Sequence, residues 1–299
     1  MSLPEAVTLV EVGPRDGLQG QPVTLSVEDR VALITMLAKA GLSRIEAGSF
    51  VSPTRIPPMR DSGKVLSGLK ESSARYCVLT PNMRGLNDAL AAGAQEVAVF
   101  TGVSETFVQK NIHCSIAESM ARFQPVVEAA KDAGVLVRGY LSCTMGCPYE
   151  GETDLNAVAH IARDLYQMGC YEISMGDTIG VGNPVRVQKM IELAGRDIPV
   201  PALAVHFHDT YGQAIANIYA AMESGISVID TAVAGLGGCP YAKGASGNVA
   251  TEDVLFMLNG MGIHTGVDMD ALLQVNQQVC SKLGCSNYSR TAQALLSKK

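Results

Sequence analysis

The chain has 299 residues, a hydrophobic content of 47% and a formal net charge of -6. It suits one large domain, because α/β barrels of roughly 250 residues fold as single units. No basic cluster could neutralise a phosphate backbone, and no apolar run approaches the roughly 20 residues of a membrane helix, so we expect neither nucleic acid nor a membrane as a partner. The start of the chain lacks a signal-peptide pattern, which predicts a cytoplasmic protein with reduced cysteines.

Short β-rich runs alternate with amphipathic helical stretches eight times along the chain. This alternation is typical of parallel strands joined by crossover helices. Eight such units favour a closed (β/α)8 TIM barrel, an α/β fold, over an open sheet. The predicted strands are Val7 to Val12, Arg44 to Ala47, Ala74 to Leu79, Glu96 to Phe100, Leu136 to Leu141, Glu172 to Met175, Ala204 to Phe207 and Val228 to Ala232.

Helix boundaries are marked in the sequence at both ends. Ser26 and Ser115 each precede an acidic residue by three positions, and Asn183 precedes Pro184, which are patterns of helix starts. A glycine before five of the strands predicts a helix end in a left-handed conformation. These glycines are Gly41, Gly93, Gly134, Gly169 and Gly225.

A further helix-like segment follows the eighth unit, from about Asp268 to Leu283, and a short polar tail comes after it. No low-complexity linker or long charge run interrupts the chain. We therefore predict a single domain, in which residues 1–265 form the catalytic barrel and residues 266–299 form a helical extension packed on it.

Unusual polar residues lie where the predicted strands end, which is where the active sites of such barrels are found. His206 and His208 are two positions apart on one strand, so both imidazoles point to the same face and suit one metal ion. A strand-end carboxylate, Asp16, and the amide of Asn248 complete a set of two nitrogen and two oxygen donors. This mixed set favours Mg2+ or Mn2+ over Zn2+.

Three other side chains at the same end of the barrel are candidates for the chemistry. Cys239 lies in a glycine-rich loop after the eighth strand, where a thiol with an ordinary pKa near ~8.5 suits a general acid. Glu46 and Asp177 end two other strands. Each is interpreted either as a support of the site or as a direct participant in catalysis.

The runs Val10 to Gln19 and Gly235 to Asn248 resemble the hydroxymethylglutaryl-CoA lyase family, and the similarity extends over most of the chain. The resemblance implies cleavage of 3-hydroxy-3-methylglutaryl-CoA to acetyl-CoA and acetoacetate on a barrel that binds Mg2+ or Mn2+. An acyl-CoA is then the expected partner, and a homo-oligomer the expected assembly. Other matching segments are Ile45-Glu46-Ala47, Arg138-Gly139-Tyr140, Gly176-Asp177-Thr178 and His206-Phe207-His208-Asp209.

Residue by residue, the resemblance assigns one ligand set and a group of catalytic residues. The base that removes the substrate's hydroxyl proton stays open between Asp16 and His206. Arg15 would stabilise the enolate, and Cys239 would protonate it. The implied metal ligands are Asp16, His206, His208 and Asn248, the catalytic pair is Arg15 and Cys239, and the further acidic residues are Glu46 and Asp177.

The sequence departs from the commoner family pattern at two segments that border the barrel mouth, Gly20-Gln21 and Thr54 to Arg60. A lyase for a 3-hydroxyglutaryl-CoA with a longer branch is therefore an alternative.

A condensing enzyme of the same superfamily is a second alternative, although too few residues follow the barrel for the long C-terminal region of those synthases. A biotin-dependent carboxyltransferase is disfavoured because Leu136 to Pro148 contains no lysine, and a scaffold without activity is disfavoured by the intact ligand set.

Overall fold

The computed structural model describes residues 3–69, 73–237 and 247–298, and eight strands of these segments close a barrel. Every barrel strand pairs in parallel with both of its neighbours. The predicted (β/α)8 barrel is thereby confirmed. The strands are β1 (Thr8–Glu11), β2 (Arg44–Ser49), β3 (Arg75–Leu79), β4 (Glu96–Gly102), β5 (Leu136–Ser142), β8 (Glu172–Asp177), β9 (Leu203–Phe207) and β10 (Val228–Thr231), with β6 (Gly146–Cys147) and β7 (Gly151–Glu152) as a small antiparallel hairpin. Around the barrel, the strands follow the order β1-β10-β9-β8-β5-β4-β3-β2.

Helices surround the barrel and begin where their caps predict. The Ser26, Ser115 and Asn183 side chains each accept a hydrogen bond from a backbone amide of the first helical turn. The five predicted helix-end glycines all have positive φ. The helices are α1 (Val27–Lys39), α2 (Ser62–Gly68), α3 (Met83–Ala91), α4 (Glu105–Ile112), α5 (Ile116–Asp132), α6 (Leu155–Met168), α7 (Pro184–Ala194), α8 (Ala214–Glu223), α9 (Thr251–Gly260), α10 (Met269–Leu283) and α11 (Arg290–Leu296).

The C-terminal region contains one more helix than the sequence predicts. Helix α10 matches the predicted segment, and the polar tail that follows it contains a further short helix, α11. Ser289 caps α11, and Asp253 of α9 accepts hydrogen bonds from the Ser289 hydroxyl and from the Thr291 amide, both at 2.8 Å. A helix this short is marginal alone and depends on such tertiary bonds.

Buried charged side chains pair across the interior of the barrel, where apolar side chains are the usual filling. Arg138 of β5 is fully buried and donates to Asp230 of β10 across the barrel and to Glu172 of β8. Glu172 also accepts two hydrogen bonds from Arg44, at 2.9 and 2.8 Å. Paired buried charges of this kind hold a defined geometry, because breaking one pair leaves its partner uncompensated.

Among the described residues, no helix is both long enough and apolar enough to cross a bilayer. The seven cysteines in these ranges are free thiols, in agreement with the prediction of reduced cysteines.

Candidate metal centre and active site

Three side chains with metal-ligating atoms meet at the carboxyl ends of β1 and β9. One ligand atom from each of Asp16, His206 and His208 lies within 4.8 Å of the other two. Two donors that share an ion at roughly 2.1 Å lie at most about 4.2 Å apart, and His206 Nε2 is 4.0 Å from Asp16 Oδ2. His208 Nδ1 is buried and has no hydrogen-bond partner among the described residues. The donor set therefore fits a divalent ion.

The turn that carries Asp16 is tightly held. Its residues Gly13–Gly17 form a π-helical turn directly after β1, and the carbonyl oxygen of Val12 accepts hydrogen bonds from three of its amides. The buried Glu11 side chain accepts a further one from the Gly13 amide at 2.9 Å. A Cβ atom at Gly13 would lie only 2.5 Å from that carboxylate oxygen, so this position requires glycine.

Asn248 adjoins the three grouped candidate ligands, Asp16, His206 and His208. Its amide Nδ2 donates to Asp16 Oδ2 at 2.8 Å and to the Leu236 carbonyl at 3.1 Å. Its backbone forms an isolated β-bridge with His208. These contacts bring the predicted fourth ligand next to the other three, while its binding of a metal stays a prediction.

Arg15 forms ion pairs with two carboxylates at the mouth of the barrel. Its Nη1 lies 2.8 Å from Asp16 Oδ1, and its Nε lies 2.8 Å from Glu46 Oε2. The guanidinium also lies 5.7 Å from the ring centre of Tyr140. Although burial raises the pKa of Asp16, the charges of Arg15 and of the two imidazoles lower it to about 2. Asp16 is thus an ionised carboxylate at neutral pH.

Glu46 lies on β2, just before a bulge in its pairing with β3. The side chain is fully buried, and burial raises its pKa to about 7 in spite of the neighbouring Arg15. Its contact with Arg15 lacks hydrogen-bond alignment. The contact is therefore an ion pair and not an aligned hydrogen bond.

Asp177 ends β8, and its carboxylate is engaged with the loop that follows. Oδ1 accepts from the Val181 amide at 3.1 Å, and Oδ2 accepts from the Gly182 amide at 2.8 Å. Burial raises the pKa of Asp177 to about 6. Since both oxygens hold backbone groups, this geometry favours the support interpretation of Asp177 over direct catalysis.

Cys239 lies outside the described residues. The described residues on either side of it approach the ligand set, because the Gly247 carbonyl accepts a hydrogen bond of 2.7 Å from the Asp209 amide, beside His208. On the other side, a Cβ atom at Gly237 would lie 2.6 Å from the Asn248 amide nitrogen.

Asp230 also adjoins this site, and the sequence does not predict its place there. Asp230 is the third residue of β10, and its Oδ2 lies 3.3 Å from His206 Nδ1. The available signal was an acidic residue within an otherwise apolar strand, Val228–Thr231. Its partners Arg138 and Ser174 lie on two other strands, and sequence spacing does not reveal these contacts.

Comparison with known proteins identifies the same family that the sequence motifs resemble. The model of the HMGL-like family matches residues 6–279. A Pseudomonas aeruginosa protein named 3-hydroxy-3-isohexenylglutaryl-CoA/hydroxymethylglutaryl-CoA lyase is 56% identical over 299 residues, which is 100% of both chains.

Two solved structures extend the comparison. The crystal structure of hydroxymethylglutaryl-CoA lyase from Pseudomonas aeruginosa has a TM-score of 0.98 and 55% identity, and covers 100% of both chains. An HMG-CoA lyase from Acinetobacter baumannii in complex with coenzyme A and 3-methylmalate has a TM-score of 0.93 and 37% identity, over 98% of this chain and 96% of that one. With full-length relatives that are hydroxymethylglutaryl-CoA lyases, the chain belongs to the HMGL-like family.

Proposed function

We propose that this protein is a carbon–carbon lyase that cleaves 3-hydroxy-3-methylglutaryl-CoA to acetyl-CoA and acetoacetate. The proposed cofactor is one Mg2+ or Mn2+ ion, with Asp16, His206, His208 and Asn248 as ligands. The observation that carries the proposal is the convergence of three ligand side chains within 4.8 Å, with Arg15 paired to one of them at 2.8 Å. An acyl-CoA substrate is supported by the complex of the Acinetobacter relative with coenzyme A.

The proposed reaction breaks the bond between the carbon bearing the tertiary hydroxyl group and the carbon next to the thioester. The divalent ion, when bound, makes the hydroxyl group more acidic. Asp16 or His206 accepts the hydroxyl proton, and the oxygen becomes the ketone oxygen of acetoacetate. The electron pair of the broken bond passes to the thioester fragment as an enolate. A proton delivered to its carbon then completes acetyl-CoA.

Arg15 is suited to stabilise the enolate, because its guanidinium is fixed before the reaction begins. Glu46 and Asp16 hold it from two sides, and only 10% of its side chain is exposed. Fixed donors in a buried site act strongly on developing negative charge, since they need no reorganisation. We assign the final protonation to Cys239, whose thiol follows from the sequence and the family resemblance.

A product assay with a ligand variant tests this function. Protein stripped with EDTA should release acetyl-CoA and acetoacetate in equal amounts only after Mg2+ or Mn2+ is added. His208→Asn should lose this restored activity, whereas His160→Asn, a change at an exposed histidine of α6, should keep it. Absence of both products from folded protein with either metal would reject the substrate assignment, and equal activity of the two variants would reject His208 as a ligand.

A second candidate substrate carries a longer branch at the hydroxyl-bearing carbon. The 56% identical relative is named for an isohexenyl and a methyl substrate. The buried apolar side chains of Cys77, Leu79 and Ala98 pack with Tyr140, whose ring centre lies 5.7 Å from the Arg15 guanidinium, so the interior beside Arg15 is partly apolar. The ratio of kcat/KM for the two thioesters decides between them, and a ratio above about 100 in favour of one identifies it as the preferred substrate.

A further inference from the structure

The two ring nitrogens of His206 face different groups. Nε2 points toward the ligand set, 4.0 Å from Asp16 Oδ2. Nδ1 points the other way, toward Asp230 Oδ2 at 3.3 Å. The ring is therefore positioned between a metal-site carboxylate and a second carboxylate in the barrel interior.

Asp230 is fixed by donors from two other strands. Arg138 donates to both of its oxygens, at 2.8 Å to Oδ1 and at 3.0 Å to Oδ2, and the Ser174 hydroxyl donates to Oδ2 at 2.8 Å. Arg138 is in turn held by Glu172 at 2.6 Å. Asp230 and Arg138 are both buried, so neither side chain can turn without breaking these bonds.

An ionised carboxylate can only accept hydrogen bonds. The Arg138 guanidinium donates to both oxygens of Asp230 and the Ser174 hydroxyl donates to one, which is the arrangement of an ionised carboxylate paired with a cation. The hydrogen between Asp230 and the imidazole must then belong to Nδ1 of His206. In the neutral ring, this leaves the lone pair on Nε2, the nitrogen that faces Asp16.

We propose that Asp230 is a positioning residue that holds His206 in its Nδ1–H tautomer and aims Nε2 into the metal site, with Arg138 as the group that fixes Asp230. The inference rests on the proposed metal-dependent function and extends it. Carboxylates in this position beside a metal-binding histidine orient the ring and raise the basicity of the ligand.

The competing explanation is that Asp230 serves only as a counter-ion for the buried Arg138. In that case its removal destabilises the fold but changes neither the tautomer of His206 nor the metal affinity of folded protein. Measurements of the His206 tautomer and of the metal affinity therefore distinguish the two explanations, whereas a measurement of stability does not.

The first test uses metal-free wild-type protein and needs no change at Asp230. Long-range 15N–1H correlation spectra at alkaline pH report which ring nitrogen of a neutral histidine carries the proton. The signals of His206 are identified as those that are missing from the spectrum of His206→Asn. We expect the proton on Nδ1. A ring protonated on Nε2 would overturn the proposal, whatever the enzyme's substrate.

The second test compares Asp230→Asn with Ser174→Ala. An asparagine amide can donate to Nδ1, so the Asp230→Asn ring should shift toward the Nε2–H form, and the Kd for Mn2+ should rise about 10- to 100-fold. Ser174→Ala removes a neutral hydrogen bond to the same carboxylate and should change the Kd less than about threefold. Folded Asp230→Asn with wild-type Mn2+ affinity and an unchanged tautomer would support the counter-ion explanation instead.

The outcomes separate this inference from the proposed function. If Asp230→Asn does not fold, the wild-type spectrum decides the proposal alone. If wild-type protein binds no Mn2+ and releases no products, the proposed function fails, while the tautomer of His206 is still measured in the same metal-free sample.

Discussion

Replacement of Arg15 tests whether its charge acts on the reaction or only on its neighbours. Arg15→Met removes the cation that lies 2.8 Å from both Asp16 and Glu46. If Arg15 stabilises the enolate, the loss of one fixed donor raises the barrier by roughly 3 kcal/mol, which lowers kcat about 100- to 1,000-fold. The substitution should leave the fold and Mn2+ binding in place.

The same change also leaves Glu46 buried without its partner. The pKa of Glu46 is already about 7, and without Arg15 it rises further, so the carboxyl takes up a proton at neutral pH. Leaving this neutral carboxyl group buried without a hydrogen-bond partner should lower the free energy of unfolding by about 1–3 kcal/mol. Since replacing both partners by apolar groups is nearly neutral, Arg15→Met/Glu46→Leu should recover much of this stability but not the lost turnover.

The assay combines steady-state kinetics with urea unfolding of both variants. Arg163→Met, on the solvent-facing side of α6, serves as the control and should match the wild type in both measurements. If Arg15→Met keeps kcat within tenfold, or if the double variant regains turnover together with stability, Arg15 is only a counter-ion and its catalytic role is wrong.

Three further predictions concern the residues around the site. Burial raises the pKa of Glu252 from 4.5 to about 7, so the folded state holds this proton more tightly than the unfolded state does. The free energy of unfolding should therefore fall by up to roughly 3 kcal/mol as the pH rises from 4.5 to 7. Urea unfolding of Glu252→Gln over the same pH range should show a smaller fall in this free energy. Gly13→Ala should destabilise the protein by about 1–3 kcal/mol, because the added Cβ atom would lie 2.5 Å from a carboxylate oxygen of Glu11. Gly20→Ala should leave thermal unfolding unchanged, because a Cβ atom there would have no neighbour within 4 Å. Asp177→Asn should lower kcat less than about tenfold, because its oxygens hold the amides of Val181 and Gly182, and a loss as large as that of Arg15→Met would indicate direct catalysis.

Much of the barrel follows from local sequence. Each predicted strand overlaps the observed one, since the β-rich runs are short and bounded by helix-end glycines such as Gly41 and Gly134. The convergence of Asp16, His206 and His208 was predictable for a related reason. His206 and His208 share one strand, and the ends of parallel strands converge at one mouth.

The interior charges were not predictable in the same way. Arg138 and Asp230 are 92 positions apart and lie on strands that are not neighbours, so their contact depends on the register and closure of the whole barrel. Glu11 was missed for a similar reason, because its partners Val233 and Thr251 follow the last barrel strand. A homo-oligomeric state and a cytoplasmic location stay predictions from the sequence.

The central claim is that turnover depends on one divalent ion held by Asp16, His206, His208 and Asn248. Titration of metal-free protein with Mn2+, with bound ion counted by electron paramagnetic resonance and acetoacetate release measured in the same samples, tests it most directly. We predict that activity rises in proportion to bound Mn2+ and saturates at one ion per chain. Full turnover in protein that elemental analysis finds free of metal would contradict this account.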